Sequence, residues 1–330
     1  MSETHKRWPT IFAFVYNINA VVILSLQMYY INPIQWNHIL ETSLNFAHLA
    51  MWWAVWIKKK HICVLVGKLK FLEKELEYLD RKKLVKVSRA AVSCVIVLTC
   101  LYPILWLMRC MYFKRLNWPF ELASVHDQNV LFLKFMYDFG NAYLSCGATF
   151  SVATFYTLYC FILATGLRLK KRSPLQAFTM YKDVVHLFKA IENTLSFFVL
   201  LFFAYTFSKL FKDIYIILYA VRVRSSKYPL IGSFELFTHV IWMAMMILSA
   251  DLAQKATEVF RLSLYEYIHL PGCFECPFNR LMEDRKCLKL TAWGVFQINK
   301  SLFLGITTWI FTYSVVLLQF PQDSVGTKAQ

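Results

Sequence analysis

The residue types that perform catalysis or bind metals occur in this sequence only in weak arrangements. Four side chains could supply zinc ligands, two of them at Cys-x-x-Cys spacing: His269, Cys273, Cys276 and Cys287. A single pair of this kind is weak evidence, and we interpret the four as ordinary loop side chains. There is no Gly-rich phosphate loop, Gly-x-Ser-x-Gly elbow or His-Glu-x-x-His stretch. The sequence therefore predicts neither an enzyme nor a dependence on a metal or cofactor.

A second group of polar and aromatic residues lies in or beside long apolar stretches and has types suited to holding a small molecule. Such pockets combine apolar walls with a few orienting polar groups. The candidates are His38, Glu41, Trp106, Arg109, Tyr137, Asp138, Asn141, Tyr215, His239 and Trp242. Structural alternatives remain open for three of them if the stretches cross a membrane. Trp106 could sit in an interfacial belt and Arg109 could extend to headgroups. Asp138 could pair with Arg109 or Lys134.

The elements that must position these residues are long and apolar. Of 330 residues, 58% are hydrophobic and 17% are charged, against roughly 45–50% and 25% in soluble domains. Because about 20 apolar residues cross the hydrocarbon of a bilayer, about seven spans fit the chain and leave no room for a separate soluble domain. We predict an all-α, polytopic membrane protein with seven transmembrane helices.

The positions of the spans follow from the distribution of charge. Four spans are uncharged runs at residues 8–31, 90–108, 139–167 and 301–320. Three more, at residues 36–57, 193–220 and 231–250, carry Glu41, then Lys209, Lys212 and Asp213, then Glu235. Charge in hydrocarbon is costly, so we expect these side chains to face the interior of the bundle or to lie near its ends. An apolar stripe after Asp251 predicts that the sixth helix continues to Leu270.

The basic residues determine the predicted orientation. The formal net charge is +16, and Lys and Arg gather in the loops after the second, fourth and sixth spans. Positive charge accumulates in cytosolic loops, so we place the N-terminus in the cytosol and the C-terminus outside the cell. Because the basic residues alternate with apolar segments and form no single face, nucleic acid is not an expected partner.

The last span ends in Thr312-Tyr313, five mostly hydrophobic residues and Gln319-Phe320. This pattern resembles the C-terminal signature of arthropod gustatory receptors, and Gly294 and Phe296 are similar to the approach to the final helix in that family. We accordingly divide the chain into residues 1–293, with six spans and their cytosolic extensions, and residues 294–330, with the final helix and a short tail. Elsewhere the match is one of length, span number and orientation.

The resemblance implies a ligand-gated, non-selective cation channel made of four subunits, identical or related, in the plasma membrane of sensory dendrites. It implies that the final helix lines a central pore, with residues on one face at or near the constriction: Gln319, Phe320, Val316, Val315 and Thr312. Tyr313 would face another helix of its own subunit. The ligand would be a tastant bound in the outer half of the bundle. Sugar receptors of that family have an acidic residue where this chain has Ser314, which favours a bitter or deterrent compound.

Two other classes of protein fit parts of the pattern. A G-protein-coupled receptor also has seven spans, but its N-terminus is extracellular, opposite to the orientation predicted here. A polytopic transporter or membrane enzyme is the other alternative. The chain contains no internal repeat, which is a signature of many transporters.

Overall fold

The computed structural model describes residues 36–74, 149–167, 174–222, 228–268 and 289–319, with isolated positions between 17 and 21 and between 82 and 101. Almost all of them are helical, which confirms the predicted fold class. The elements are α1 (Trp36–Ile57), α2 (Lys59–Lys74), α3 (helical over Thr149–Leu167), α4 (Pro174–Arg222), α5 (Tyr228–Ile268), β1 (Thr291–Ala292), β2 (Phe296–Gln297) and α6 (Lys300–Gln319).

Three of these helices contain stretches long and apolar enough to cross a membrane, within the part of the chain that is described: Thr149–Leu167, Thr179–Ile214 and Glu235–Leu264. Shorter apolar stretches occupy Phe46–Ile57 of α1 and Lys300–Val316 of α6. Five of the predicted spans thus fall on helices. The other two, at residues 8–31 and 90–108, lie outside the described residues apart from isolated positions, so the total of seven and the orientation of the termini stay predictions.

The helices α4 and α5 are far longer than a bilayer requires. They contain 49 and 41 residues, which at 1.5 Å per residue gives lengths of about 74 and 62 Å, against about 30 Å of hydrocarbon. The expectation that the sixth span continues without a break is confirmed as far as Ile268. Both helices therefore extend well beyond one face of any bilayer they cross.

The chain forms two compact units. The first comprises Met1–Gly67 with Glu77–Phe155, and the second comprises Lys68–Leu76 with Tyr156–Gln330. In the first unit, Leu44 and Met51 of α1 are buried, and the Nδ1 atom of His48 lies 2.9 Å from the hydroxyl of Thr149. The second unit contains α4, α5, the hairpin and α6. The predicted division at residue 293 stays a prediction.

The core of the second unit lies between α4 and α5, which pack along each other. From α4, Phe188, Phe198 and Phe202 are fully buried, and from α5 the small residues Ala250 and Ala253 have no exposed surface. Small side chains let two backbones approach closely, which is how helices in membranes gain packing energy. Both helices therefore contribute fully buried side chains to this core.

A two-stranded hairpin joins this helix pair to α6. Its strands pair in antiparallel register, with Ala292 opposite Phe296. The three-residue loop between the paired residues begins with Trp293 and Gly294 at positive φ, 52° and 73°, and the backbone N–H of Val295 donates to the carbonyl of Ala292 at 3.0 Å. Glycine adopts this conformation without penalty, whereas a bulky residue does so only when its surroundings hold it. No strand was predicted from the sequence, because two residues give no readable alternation.

Candidate functional site

Within the part of the chain that the structure describes, α4 and α5 cover one side of the final helix, α6. The residues on that side, among them Ile306, Ile310 and Ser314, are half-buried. Its other large apolar residues are exposed, with 66% of Leu304 and 71% of Phe311 accessible. A transmembrane helix can expose such residues to lipid or to another protein chain, so α6 has surface available for both.

One stripe of α6 consists of small and polar residues. Its members follow one another at alternating spacings of four and three, which places them on a single face, and all of them are exposed: Ser301, Gly305, Thr308, Thr312, Val315 and Gln319. At 100° per residue this face lies opposite Ile310, the centre of the packed side. We call these six residues the polar stripe. It is bordered by bulky apolar residues, Leu304 and Phe311 on one flank and Trp309 and Val316 on the other.

The hydroxyl groups of this helix are bonded within the helix itself. Thr308 donates to the carbonyl of Leu304 at 2.9 Å, Thr312 donates to that of Thr308 at 2.9 Å, and Ser314 donates to that of Ile310 at 2.7 Å. Each donor is satisfied without water, while the hydroxyl oxygen still has lone pairs that can accept. The polar stripe can therefore exist either dry or in contact with water and ions.

Aromatic rings attach the outer part of α6 to α4. The ring of Phe207 meets Trp309 edge to face at 6.4 Å, and that of Phe211 meets Tyr313 in the same way at 5.9 Å. Trp309 and Tyr313 are themselves stacked at 4.9 Å. Tyr313 of the sequence motif thus packs against another helix of its own chain. Ring pairs of this kind contribute about 0.5–1.5 kcal/mol each beyond the area they bury.

Two polar side chains hold the hairpin at the base of α6. On α5, the amide nitrogen of Gln254 donates to the carbonyl of Ile298 at 2.7 Å, and its oxygen accepts from the backbone N–H of Leu290 at 3.4 Å. On α4, the carboxylate of Glu192 accepts from the backbone N–H of Thr291 at 2.9 Å and also from the Thr291 hydroxyl. The start of α6 is thereby fixed to both long helices.

Further contacts complete this base. The side-chain oxygen of Asn299 accepts from the backbone N–H of Leu302 at 3.1 Å, which is an N-terminal cap for α6. The two motif residues before the helix also have definite positions. Gly294 occupies the tight turn, and the ring of Phe296 packs edge to face on Phe203 of α4 at 5.6 Å. The base of α6 is therefore held by hydrogen bonds and its outer part by aromatic contacts.

The charged residues of the fifth and sixth spans form one cluster between α4 and α5. The ammonium of Lys209 donates to Glu235 at 2.8 Å and lies 3.5 Å from Asp213. The side chains of Glu235 and Asp213 are 5% and 1% exposed. The expectation that these charges face the interior is confirmed for this cluster. A buried cluster with two carboxylates and one ammonium is unusual in an apolar setting and requires close pairing.

Two of the predicted pocket residues lie on α5 next to this cluster. The Nδ1 atom of His239 lies 2.8 Å from the backbone oxygen of Glu235; a carbonyl can only accept, so Nδ1 carries the proton. The imidazole is 5.9 Å from the ring of Tyr205 on α4, and Trp242 is 2% exposed. The structure therefore places His239 and Trp242 in the interior of the second unit.

The other predicted residues are described less fully. His38 and Glu41 lie on α1 and Tyr215 lies on α4, but their side chains are outside the described part of the chain. Six more residues lie outside it altogether: Trp106, Arg109, Tyr137, Asp138, Asn141 and Phe320. The four possible zinc ligands do so as well. Among the described residues, no group of His, Cys, Asp and Glu side chains could hold a metal ion.

Gln254 and Glu192 were not among the residues predicted from the sequence. A weak signal exists for Gln254, since it lies near Asp251 in the stretch whose apolar stripe predicted a buried helix face. For Glu192 the sequence gives none, because its partner is 99 residues away.

Two solved structures share this fold. The insect olfactory receptor OR5 from Machilis hrabei matches 97% of this chain over 92% of its own, with a TM-score of 0.66 and 12% identity. The structure of the same receptor in complex with eugenol matches 95% of this chain over 90% of its own, with a TM-score of 0.61 and 12% identity. No protein-family model matches the sequence, and no curated protein matches it either. The chain therefore has the fold of this insect olfactory receptor, whereas its assignment to the gustatory receptors stays a prediction.

Proposed function

We propose that this chain is a subunit of a ligand-gated cation channel that senses chemicals at the plasma membrane, and that α6 lines its conduction pathway. The observation that carries this proposal is the polar stripe. It runs from Ser301 to Gln319, its six residues are exposed, and it lies on the side of α6 opposite the face that packs on α4 and α5. The insect-chemoreceptor fold supports the same function.

The mechanism follows from the three faces of α6. Four copies around an axis, identical or from related chains, direct their polar stripes to the centre, while Leu304, Trp309 and Phe311 meet neighbours and lipid. Near the outer end, Val315 on the stripe and Val316 at its edge make a hydrophobic constriction that excludes water when narrow, and Gln319 with Phe320 surrounds the exit. A small rotation or outward movement of each α6 widens the ring of valines and lets cations pass along the hydroxyl and amide groups of the stripe.

The gating ligand in this proposal is a small organic molecule bound in the outer half of the bundle. The olfactory receptor with this fold was solved with eugenol, a compound of this size class. In the proposal, His239 and Trp242, which are both buried on α5, contribute to the wall of this ligand site. Ser314 after the Thr-Tyr pair favours a bitter or deterrent tastant over a sugar, and sensory dendrites are the proposed location.

Cysteine accessibility tests the position of α6. Thr312→Cys lies on the polar stripe, whereas Thr307→Cys lies on a different face of the same helix and is also exposed. Currents from purified protein in a planar bilayer are recorded, with eugenol as the first compound of a panel, before and after a water-soluble thiol reagent. We expect the reagent to reduce current through T312C and to leave the T307C variant and the parent protein unchanged.

The outcomes separate the alternatives. Equal sensitivity of the two variants would remove α6 from the pore lining. Absence of current with every compound, alone and with partner subunits, would remove the channel function. Reporters fused to each terminus then distinguish a G-protein-coupled receptor, which requires an extracellular N-terminus.

A further inference from the structure

In the buried ion cluster, the ammonium of Lys209 lies within 4 Å of carboxylates on two different helices. We propose that Lys209 is a switch that alternates between Glu235 on α5 and Asp213 on its own helix, and that this exchange sets the position of the outer half of α6. The proposal rests on the proposed function, since it names the link between the ligand region and the pore helix.

Both carboxylates lie close enough to the Lys209 ammonium for an exchange between them. The ammonium of Lys209 is 2.8 Å from Glu235 and 3.5 Å from Asp213, so a shift of about an ångström would change its main partner. The pair with Glu235 joins α4 to α5, whereas the pair with Asp213 lies within α4, four residues along. The Oδ2 atom of Asp213 is buried and accepts no hydrogen bond from the described residues. It is therefore available to receive the ammonium.

The free-energy cost of the exchange depends on whether the ammonium stays paired. Breaking a buried ion pair outright is strongly unfavourable, because it leaves an uncompensated charge in a medium of low dielectric. Transfer of Lys209 from one carboxylate to the other keeps the ammonium paired in both states and leaves one carboxylate without it in each. In the proposal, the cluster therefore has two arrangements that differ in the carboxylate bound, and a coupling element requires such a choice.

Two aromatic rings of α4 connect the cluster to α6. Residues two apart on a helix point in nearly opposite directions, about 200° apart. Lys209 and Asp213 face α5, so Phe207 and Phe211 face away from it, and these two rings make the contacts with Trp309 and Tyr313 of α6. A rotation or displacement of this turn of α4 relative to α5 moves both rings. The outer part of α6 has to follow them.

His239 of α5 connects the cluster to the proposed ligand region. The imidazole of His239 is bonded to the backbone oxygen of Glu235, one turn earlier on α5. A molecule bound against His239 and Trp242 would press on the turns of α5 that carry this carboxylate. It would thereby favour one partner of Lys209 over the other.

Two isosteric variants test the exchange because each removes one of the two partners. Asp213→Asn leaves Lys209 with Glu235 and favours the arrangement in which the ion pair joins α4 to α5. Glu235→Gln leaves Lys209 with Asp213 and favours the arrangement in which the pair lies within α4. We expect the spontaneous open probability, from single-channel records in planar bilayers, to change in opposite directions by about three- to thirtyfold. The matched control is Glu258→Gln, which removes an ion pair with Arg261 within α5 alone and should leave it unchanged.

A second measurement reads the position of α6 without current. The rate at which a thiol reagent modifies T312C is compared in the D213N, E235Q and E258Q backgrounds, with the thermal unfolding midpoint recorded for each. Opposite shifts of the labelling rate support the switch. Shifts in the same direction, or none, overturn it, because a purely structural role would make both variants loosen the helix pair. If the labelling rates shift in opposite directions but no variant conducts current, the channel function is overturned. The coupling of the ion cluster to the position of α6 is then retained.

Discussion

At the scale of single residues, Gln319 is the point where the polar stripe meets the outer end of α6. It is exposed and lies on the same face as Thr312 and Ser301. An amide attracts neither sign of ion strongly, so the field at this point of a pore would be set by whatever charge replaces it. The identity of this side chain is therefore expected to tune conduction without affecting the fold.

Substitution of Gln319 by charged residues of opposite sign should alter ion preference in opposite directions. Gln319→Glu should raise the preference for cations over anions and Gln319→Lys should lower it, since four copies of the residue would surround the axis of the proposed channel. Reversal potentials in asymmetric salt measure the effect, and the two variants serve as controls for each other. Identical reversal potentials in both would place Gln319 outside the pore lining.

Gln254 is expected to matter more for stability than any residue of the polar stripe. Gln254→Met keeps the approximate volume but removes the partner of the Ile298 carbonyl, and an unsatisfied buried group costs about 1–3 kcal/mol. The thermal unfolding midpoint should fall. Thr257→Val, one turn along α5, removes a bond to its own helix alone and should have a much smaller effect. Equal falls in the unfolding midpoint would mean that the hydrogen bonds from Gln254 to the hairpin contribute no more stability than a bond within α5.

The residue-level part of the site was predictable to different degrees. Thr312, Val315 and Gln319 could be placed on one face from their spacing, because the helical repeat is fixed. The charges at Lys209 and Glu235 could be assigned to the interior because hydrocarbon excludes them. The role of Gln254 could not be predicted, since its partner is a backbone carbonyl 44 residues away. No periodicity in the sequence encodes such a pair.

At the scale of elements, the short hairpin decides how α6 leaves the helix pair. Trp293 is held at positive φ while its ring packs edge to face on Phe197 of α4 at 5.3 Å. Long apolar helices were readable from the sequence because each extends over many residues. The hairpin was not, because its strands are two residues long and its conformation depends on contacts with α4 and α5.

Glycine substitutions should separate the hairpin from an ordinary helix position. Gly294 is at φ 73°, where a Cβ is strained whatever the space around it, so Gly294→Ala should destabilise the protein by about 1 kcal/mol or more. Gly67 lies inside α2 and an added Cβ there meets nothing within 4 Å, so Gly67→Ala should stabilise by about 0.5–1 kcal/mol. Thermal unfolding midpoints measure both. A stabilising effect of Gly294→Ala would contradict the positive φ of this residue in the turn.

At the scale of the whole molecule, the uncovered sides of α6 require an explanation. Leu304, Trp309 and Phe311 are 66%, 55% and 71% exposed, and they border a stripe that is too polar to face lipid along its whole length. A single copy would leave Thr308, Thr312 and Gln319 against hydrocarbon. Several copies around an axis resolve the conflict, because the flanks then meet neighbours and the stripe meets water.

Assembly should therefore depend on the flanks of α6 and not on exposed apolar residues in general. Phe311→Ala should lower the fraction of four-copy complexes in native mass spectrometry of the purified protein, because the ring covers a neighbouring chain. Phe237→Ala is the matched control, since Phe237 is 66% exposed on α5 and is expected to face lipid. A buried ring of this size contributes roughly 1.5–3 kcal/mol, and four equivalent contacts are lost at once. Unchanged assembly of F311A would mean that α6 faces lipid, and a shared central pore would then be impossible.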